Sequence, residues 1–335
     1  MRMTDTAWPA LVADIGGTNA RFALVAEPGA APSAILSLPA ADYLNLPDAI
    51  AAYLERVDAR PRSACIAVAG PTVGDRIVLS NRNWDFSVRA LAERFGFAPL
   101  RLINDCEALA LALPRLGADD LMRLGPEGTS GEVGRPLALI APGTGLGMSG
   151  ALPTPQGWIA LSAEGGHADL APVDDLEIEA LRRVRGERGR VSLESVLCGS
   201  GLERLHRAVA GALGLSTDPL PAAEITRRAV GGGEGGLDRL CVQTLTTYCA
   251  LLGGAAGNLA LSLGARGGVY VGGGIAPRFA AFLAASPFRA RFEAKGRMAD
   301  YLRPVPSWLI LANTPALSGA AAHLDSLHGV RADAA

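Results

Sequence analysis

Lysine is almost missing from this chain. Lys295 is the single lysine among 31 basic residues, so arginine carries nearly all the positive charge. That scarcity excludes a Walker A loop, which needs Gly-Lys-Ser/Thr, and a protein-kinase site, which needs a lysine on a strand. Cysteine is sparse as well. Cys65, Cys106, Cys198, Cys241 and Cys249 form no Cys-x-x-Cys pair and are odd in number, which fits a reduced, cytoplasmic setting and argues against structural zinc. An excess of charge of either sign is also lacking. The 31 basic and 33 acidic residues give a net charge of −2, with no electrostatic invitation to nucleic acid or an anionic membrane. A small diffusible ligand fits this balance better. Residues 1–10 contain no apolar stretch of signal-peptide length. The one long apolar segment, Tyr248 to Ala265, carries several glycines and Asn258 and reads as a buried core helix rather than a membrane span.

What is present is a globular composition, 49% hydrophobic and 19% charged over 335 residues, enough for two domains with sizeable cores. Three junctions stand out where an apolar run meets glycines. Leu11-Val12-Ala13 leads into Asp14-Ile15-Gly16-Gly17-Thr18-Asn19. Leu137 to Ile140 leads into Gly143-Thr144-Gly145-Leu146-Gly147. Gly268 to Val271 leads into Gly272-Gly273-Gly274. Glycines that adopt positive φ, or that carry no side chain in the way, let backbone N–H groups approach an anion. Asp14 is placed to reach a magnesium ion, directly or through water. A lone Gly-Gly pair fits a plain hairpin turn equally well. Three such junctions suggest a nucleotide gripped from several sides.

Residues 11–25 read as a hairpin, and 137–151 repeat that pattern. Helices are expected over Leu46 to Val57, Ser87 to Phe95 with Ser87 as cap, Cys106 to Leu113, Asp175 to Val184, Gly201 to Ala212, about 237–263 and Pro315 to His323. Strands are expected at 63–69, 76–79, 100–103, 158–162 and 308–312. The stretch 117–136 reads as a loose connection, and 231–236 as a glycine-rich one. Two similar α/β halves facing each other across a ligand cleft follow as the expected architecture.

Asp105 ends a predicted strand, where ligands of α/β sheets bind. Asn104-Asp105 also has the composition of a helix cap, and spacing alone does not choose between the two roles. Glu164-Gly165-Gly166-His167 is a second polar cluster; an exposed loop pair is its plain alternative. No second histidine or cysteine stands at a ligand spacing from His167, so zinc is disfavoured there. Gly145-Leu146-Gly147-Met148-Ser149-Gly150 matches a dinucleotide fingerprint formally. Pro153 and Pro155 follow where a helix should open, which weakens that reading.

Taken together, these segments resemble the bacterial glucokinase family, ATP-dependent hexokinases of the actin-like, ribonuclease-H-like fold. The resemblance runs from about Leu11 to Leu324. It is carried by 13–21, Asn81-Arg82-Asn83-Trp84, Leu102 to Asp105, Ala141 to Gly147, Glu164 to His167, Val191 to Leu197, Gly257 to Leu261 and Gly272 to Phe279. It implies a small domain of residues 1–115 with a C-terminal helix at about 313–335, a large domain of 116–312, and a homodimer. It implies that Asn104, Asp105, Glu164, His167 and Glu194 hold D-glucose, with Asp105 as the catalytic base. It also implies that Ala13, Asp14, Ile15, Gly16, Gly17 and Thr18 form a first loop for ATP phosphates. Gly143, Thr144 and Gly145 form a second, Gly199, Gly273 and Gly274 lie near the adenosine, and Asp14 serves Mg2+ through water. Cys198-Gly199-Ser200-Gly201 stands where the family often has Ser-Gly-Pro-Gly. A kinase for another hexose, and a sugar-sensing regulator without turnover, are the alternatives. The regulator should carry a DNA-binding arm, for which there is neither spare N-terminal length nor a basic helix.

Overall fold

The computed structural model describes residues 7–70, 72–79, 84–231 and 237–327. Pro71, residues 81–83 of the Asn-Arg-Asn-Trp motif, the glycines within 232–236 and the tail 331–335 lie outside the described residues. In chain order come strands β1 (Ala10–Ile15), β2 (Asn19–Val25) and β3 (Ser33–Pro39), helix α1 (Leu46–Val57), β4 (Ser63–Val68), β5 (Arg76–Leu79), β6 (Trp84–Ser87), α2 (Val88–Phe95), β7 (Leu100–Asn104) and α3 (Asp105–Ala112). Next are β8 (Leu121–Arg123), β9 (Leu137–Pro142), β10 (Leu146–Thr154), β11 (Gly157–Leu161), α4 (Asp175–Arg188), α5 (Gly199–Ala212), α6 (Ala222–Ala229) and α7 (Arg239–Leu263). The chain closes with β12 (Gly268–Val271), α8 (Ala280–Ala285), α9 (Phe288–Glu293), α10 (Ala299–Leu302), β13 (Ser307–Ile310) and α11 (Pro315–Leu327).

The fold divides into two compact units. One holds 1–116, 151–162 and 312–335; the other holds 117–150 and 163–311. The boundary falls within β10, so 151–162, grouped by the sequence reading with the second half, cluster with the first unit.

The first unit is built on a five-stranded sheet in the order β3-β2-β1-β4-β7. β1 runs antiparallel to β2 and parallel to β4, which is parallel to β7. Side chains alternate across a strand, so the apolar runs feed two cores. Leu11, Ala13, Ile15, Ile66 and Val68 pack with Ile50 and Tyr53 of α1 and Leu91 of α2. Ala10, Val12, Cys65 and Ala67 join Ala108 of α3 and Leu317, Ala320 and Leu324 of α11. The second face is lined by small residues, and Gly319 lets α11 lie directly on α3: a Cβ there would run into the Ala108 carbonyl oxygen. Asp325, near the end of α11 and only 1% exposed, takes the Arg115 guanidinium at 2.5 Å and the Gly29 N–H at 3.0 Å. A buried carboxylate is tolerable because both partners are present.

The second unit repeats the order. Within it β9, β12 and β13 run parallel in that order, with residues 146–150 of β10 beside β9 and β8 antiparallel on the outer edge. The repeated order is the two-fold α/β design that the hairpins at 11–25 and 137–151 suggested. Asp238 caps α7 through the Leu240 and Cys241 N–H groups. By length and composition α7 could cross a membrane, yet 72% of its apolar window is buried. Leu245, Tyr248, Leu252 and Ala256 sit in one core with Leu202, Leu205 and Val209 of α5. The helix is apolar because protein surrounds it.

Several elements differ from the sequence reading. β3 was not anticipated: Ala34, Leu36 and Leu38 alternate with Ser33, Ser37 and Pro39, but Ile35 breaks the pattern and the edge strand is mostly exposed. β8 lies inside the stretch read as loose, and three residues are too few to carry a period. α6 and α8–α10 span four to eight residues each and gain their order from tertiary packing. α3 opens at Asp105 rather than Cys106, and α5 at Gly199 rather than Gly201. The segment Gly145–Gly150 continues into β10 and opens no helix, which removes the dinucleotide fingerprint.

Candidate active site

In the first unit, Asp14 and Asp105 stand at the carboxyl edge of the same sheet. Asp14 pairs with Ala67 of β4, and Val68 pairs with Asn104 of β7, so a single strand separates the two ends. Ligands of parallel α/β sheets bind at this edge. Asp14 faces Arg21 across the β1–β2 hairpin, and the register brings the Arg21 guanidinium to 2.9 Å from its carboxylate. The turn between them closes with Gly16 N–H donating to the Asn19 carbonyl at 3.0 Å. Gly16 does not use the left-handed conformation expected of it. Its value is the bare face it leaves: a Cβ would come no nearer than 3.5 Å to the protein. The Thr18 carbonyl accepts from Ala40 N–H at 2.9 Å.

Asn104 is the N-cap of α3. Its Oδ1 accepts from Cys106 N–H at 2.8 Å, and Glu107 reaches back to the Asn104 N–H at 3.4 Å. Asp105 shares the Cys106 N–H, at 2.9 Å. The capping role is therefore real for Asn104, whose amide NH2 remains a donor. Burial pushes the Asp105 carboxyl above the usual carboxylate range; the Cys106 N–H opposes this, and the negative charge of Asp14 adds to it. Asp14 is pushed up too, by burial, with Arg21 opposing. Asp14 and Asp105, carboxylates at strand ends one strand apart, are the oxygen ligand type that suits a hard divalent cation. Among the described residues no cluster of three or more metal-ligating side chains occurs.

In the second unit the loops knit around the β9–β10 turn. Gly143 N–H donates to the Gly145 carbonyl at 2.8 Å, and Gly199 N–H to the Gly143 carbonyl at 3.0 Å. Gly273 takes φ +76°, and a Cβ there would strike the Pro142 carbonyl. Here glycine is required by the protein itself. At Gly143, Gly199 and Gly274 it is not: a Cβ would meet nothing nearer than 3.8 Å. Bare backbone facing open space is a cradle for a ligand. Gly199 also opens α5, a 14-residue helix capped by Cys198 Sγ on the Gly201 N–H at 3.3 Å, so the helix dipole adds positive potential there. The segment expected as a loop is thus the first turn of a helix.

Glu164, His167 and Glu194 belong to the same unit. Gly165–His167 form one turn of 3-10 helix, with His167 Nε2 4.0 Å from the Glu164 carboxylate and both side chains exposed. Glu194 N–H donates to the Gly166 carbonyl at 2.8 Å. Its Oε2 accepts from Leu146 N–H, also at 2.8 Å. The fold therefore groups Asn104 and Asp105 with the 13–18 loop, and Glu164, His167 and Glu194 with 143–145, 199 and 273–274. Two partners escaped the sequence reading. Arg21 was legible in principle, standing opposite Asp14 in a hairpin with a short turn. Cys198 as a cap was not, because cysteine is not among the preferred capping residues.

A family model described as Glucokinase matches residues 11–327. A glucokinase of Chromobacterium violaceum is 48% identical over 330 residues, covering 98% of this chain and 93% of the relative. The crystal structure of a glucokinase from an Antarctic psychrotroph superposes with a TM-score of 0.86 at 39% identity, over 94% of this chain and 98% of that one. A Balamuthia mandrillaris glucokinase solved in complex with glucose shares the fold, with a TM-score of 0.75 at 19% identity over 94% and 93% of the two chains. On these matches, which span nearly its whole length, the chain belongs to the glucokinase family.

Proposed function

We propose that this protein transfers the γ-phosphoryl group of ATP to the 6-hydroxyl of D-glucose, giving glucose 6-phosphate and ADP, with Asp105 as general base. The observation that carries the reading is the Asp105 carboxyl at the end of β7, raised above its ordinary pKa by burial and by Asp14. A carboxylate of ordinary pKa is a feeble base toward an alcohol, and raising it brings its basicity nearer the operating pH. Asp105 accepts the 6-hydroxyl proton as that oxygen attacks phosphorus in line. The Asn104 amide NH2, left free to donate by its cap geometry, holds a neighbouring hydroxyl. Glu164, His167 and Glu194 supply further acceptors and donors for the ring hydroxyls. A site built to pair hydroxyls rejects analogues lacking them, because its own polar groups are then stranded.

The 13–18 and 143–145 loops, whose Gly16 and Gly143 N–H groups close their own turns, stabilise charge on the phosphoryl oxygens through their remaining backbone donors, with Gly199, Gly273 and Gly274 against the nucleoside. When bound at Asp14, Mg2+ supplies charge neutralisation between the phosphates. The two compact units are the two domains of this reading. Five free thiols, four of them buried, support a cytoplasmic setting. A homodimer is part of the reading, and light scattering tests it.

The deciding experiment is glucose-dependent ADP formation from Mg-ATP, with mannose and fructose in parallel. Wild type should turn over glucose best. Asp105→Asn should keep glucose binding while kcat falls by roughly 10²–10⁴. Near wild-type kcat in that variant removes Asp105 from the mechanism. Glucose binding without turnover of any sugar favours a sensor.

A further inference from the structure

The sugar-side and phosphate-side groups of the second unit meet at one carboxylate. Glu194 Oε2 accepts the Leu146 N–H at 2.8 Å, and Leu146 is the residue that leaves the Gly143-Thr144-Gly145 turn to begin β10. Oε2 also occupies the space in front of Gly145, where a Cβ would lie 2.5 Å from it. The Glu194 backbone is pinned in turn: its N–H donates to Gly166 at 2.8 Å, and Leu193 N–H donates to Ala168 at 2.9 Å. Gly166 is pressed so closely on the Leu146 carbonyl that a Cβ would collide with it. The turn 143–146, the turn 164–168 and the segment 193–194 therefore form one interlocked body. One Glu194 oxygen serves the phosphate turn, and Oε1 is the one left to meet a sugar hydroxyl.

We propose that Glu194 is a positioning residue for the 143–146 phosphate turn as well as a sugar ligand, so that a single carboxylate couples the two substrate subsites. The inference rests on the kinase reading above. Glucose that engages Oε1 stiffens the carboxylate holding Leu146 N–H, and a phosphate chain that settles the turn fixes the carboxylate for glucose. Coupling of this kind is reciprocal: each substrate changes the affinity of the other by the same factor. It also explains why position 145 is glycine, where neither backbone conformation nor contact with other groups demands one.

The test separates the subsites by measuring each ligand alone. Binding of a non-hydrolysable ATP analogue is measured without sugar, and glucose binding without nucleotide, for wild type, Glu194→Ala, Glu194→Gln and Gly145→Ala. Glu194→Ala should weaken sugar-free analogue binding roughly three- to tenfold, the factor for one hydrogen bond. Glu194→Gln retains an amide oxygen for Leu146 N–H. It should hold analogue affinity within about twofold of wild type while losing glucose affinity. Gly145→Ala, in the phosphate turn, should weaken nucleotide-free glucose binding because its Cβ displaces Oε2. If Glu194→Ala leaves analogue affinity untouched, or Gly145→Ala leaves glucose affinity untouched, the coupling is refuted while the kinase reading stands. A wild-type protein that binds neither ligand overturns both. Should Glu194→Ala fail to fold, Gly145→Ala reads the same contact from its other side.

Discussion

Gly319→Ala tests how the first unit holds the edge that carries Asp105, the proposed base. The added Cβ would meet the Ala108 carbonyl and sit 2.6 Å from the Ala108 carbonyl carbon and 3.0 Å from Ala112 N. Favourable carbon contacts lie at about 3.5–4.0 Å and the Ala108 oxygen is the nearest obstacle, so α11 and α3 must part by more than about 1 Å. The obstacle is helix backbone, which cannot rotate aside as a side chain would. The cost therefore belongs at the upper end of the overpacking range, about 3 kcal/mol. Replacing glycine by alanine within a helix returns about 1 kcal/mol of propensity. The expected net loss is about 2 kcal/mol, a fall of roughly 1 M in the urea midpoint. Gly254→Ala is the control. It lies inside α7 with nothing within 4 Å of its Cβ position, so propensity alone should stabilise it by about 0.5–1 kcal/mol. Because α3 begins at Asp105, parting the helices also moves the proposed base. A shift of about 1 Å or more should lower kcat roughly a hundredfold. An unchanged or raised urea midpoint for Gly319→Ala would refute the close-packing argument. A lowered midpoint with unchanged kcat would show that α11 does not position Asp105.

Two further predictions concern protons. Asp105 must be ionised to act, so kcat/KM should fall as pH drops through a pKa lying above the ordinary carboxylate value. Asp14→Asn removes one of the charges raising that pKa and should move the acid limb of the normalised kcat/KM profile downward; a limb that stays or rises contradicts the assignment. His206 is fully buried between Thr244 Oγ1 at 3.0 Å and Thr217 Oγ1 at 3.1 Å. Burial lowers its pKa below 6.5, with Asp238 opposing and Arg228 and Arg207 reinforcing. The unfolded chain therefore takes up this proton first, so the stability contributed above pH 6.5 is lost as pH falls through the folded pKa. His206→Gln should lose less stability than wild type between about pH 7 and about pH 5, read from paired urea midpoints. An equal or larger loss would show that the imidazole is not the group responsible.

Much of the candidate site was legible because its signals are local. Asp14, Gly16, Gly17 and Thr18 directly follow an apolar run, and Asn104-Asp105 ends another. Such junctions between strand and polar turn can be read within ten residues. The two-fold design was readable for the same reason, from hairpins at 11–25 and 137–151. What escaped is what depends on neighbours distant in the chain. β3 shows only a short, interrupted alternation at Ala34, Leu36 and Leu38, and is a strand because β2 offers it an edge. α6 and α8–α10 are too short to stand alone. Residues 151–162 belong with the first unit because the end of β10 and β11 pack there, and nothing in their composition says so.

The sequence by itself determined the class of the molecule and the identity of its chemical groups. In the proposed reading, a chain with one lysine leaves phosphate charge to backbone amides, arginine and metal, and its glycine junctions mark where no side chain covers the backbone. Tertiary structure alone decided what each group feels. Asp105 is raised chiefly by its burial and further by the charge of Asp14, since β1 and β7 flank the same strand. Glu194 reaches Leu146 across 48 positions of chain because two turns interlock. Sequence carries covalent order and local propensity; desolvation, field and contact between distant segments exist only once the chain has folded.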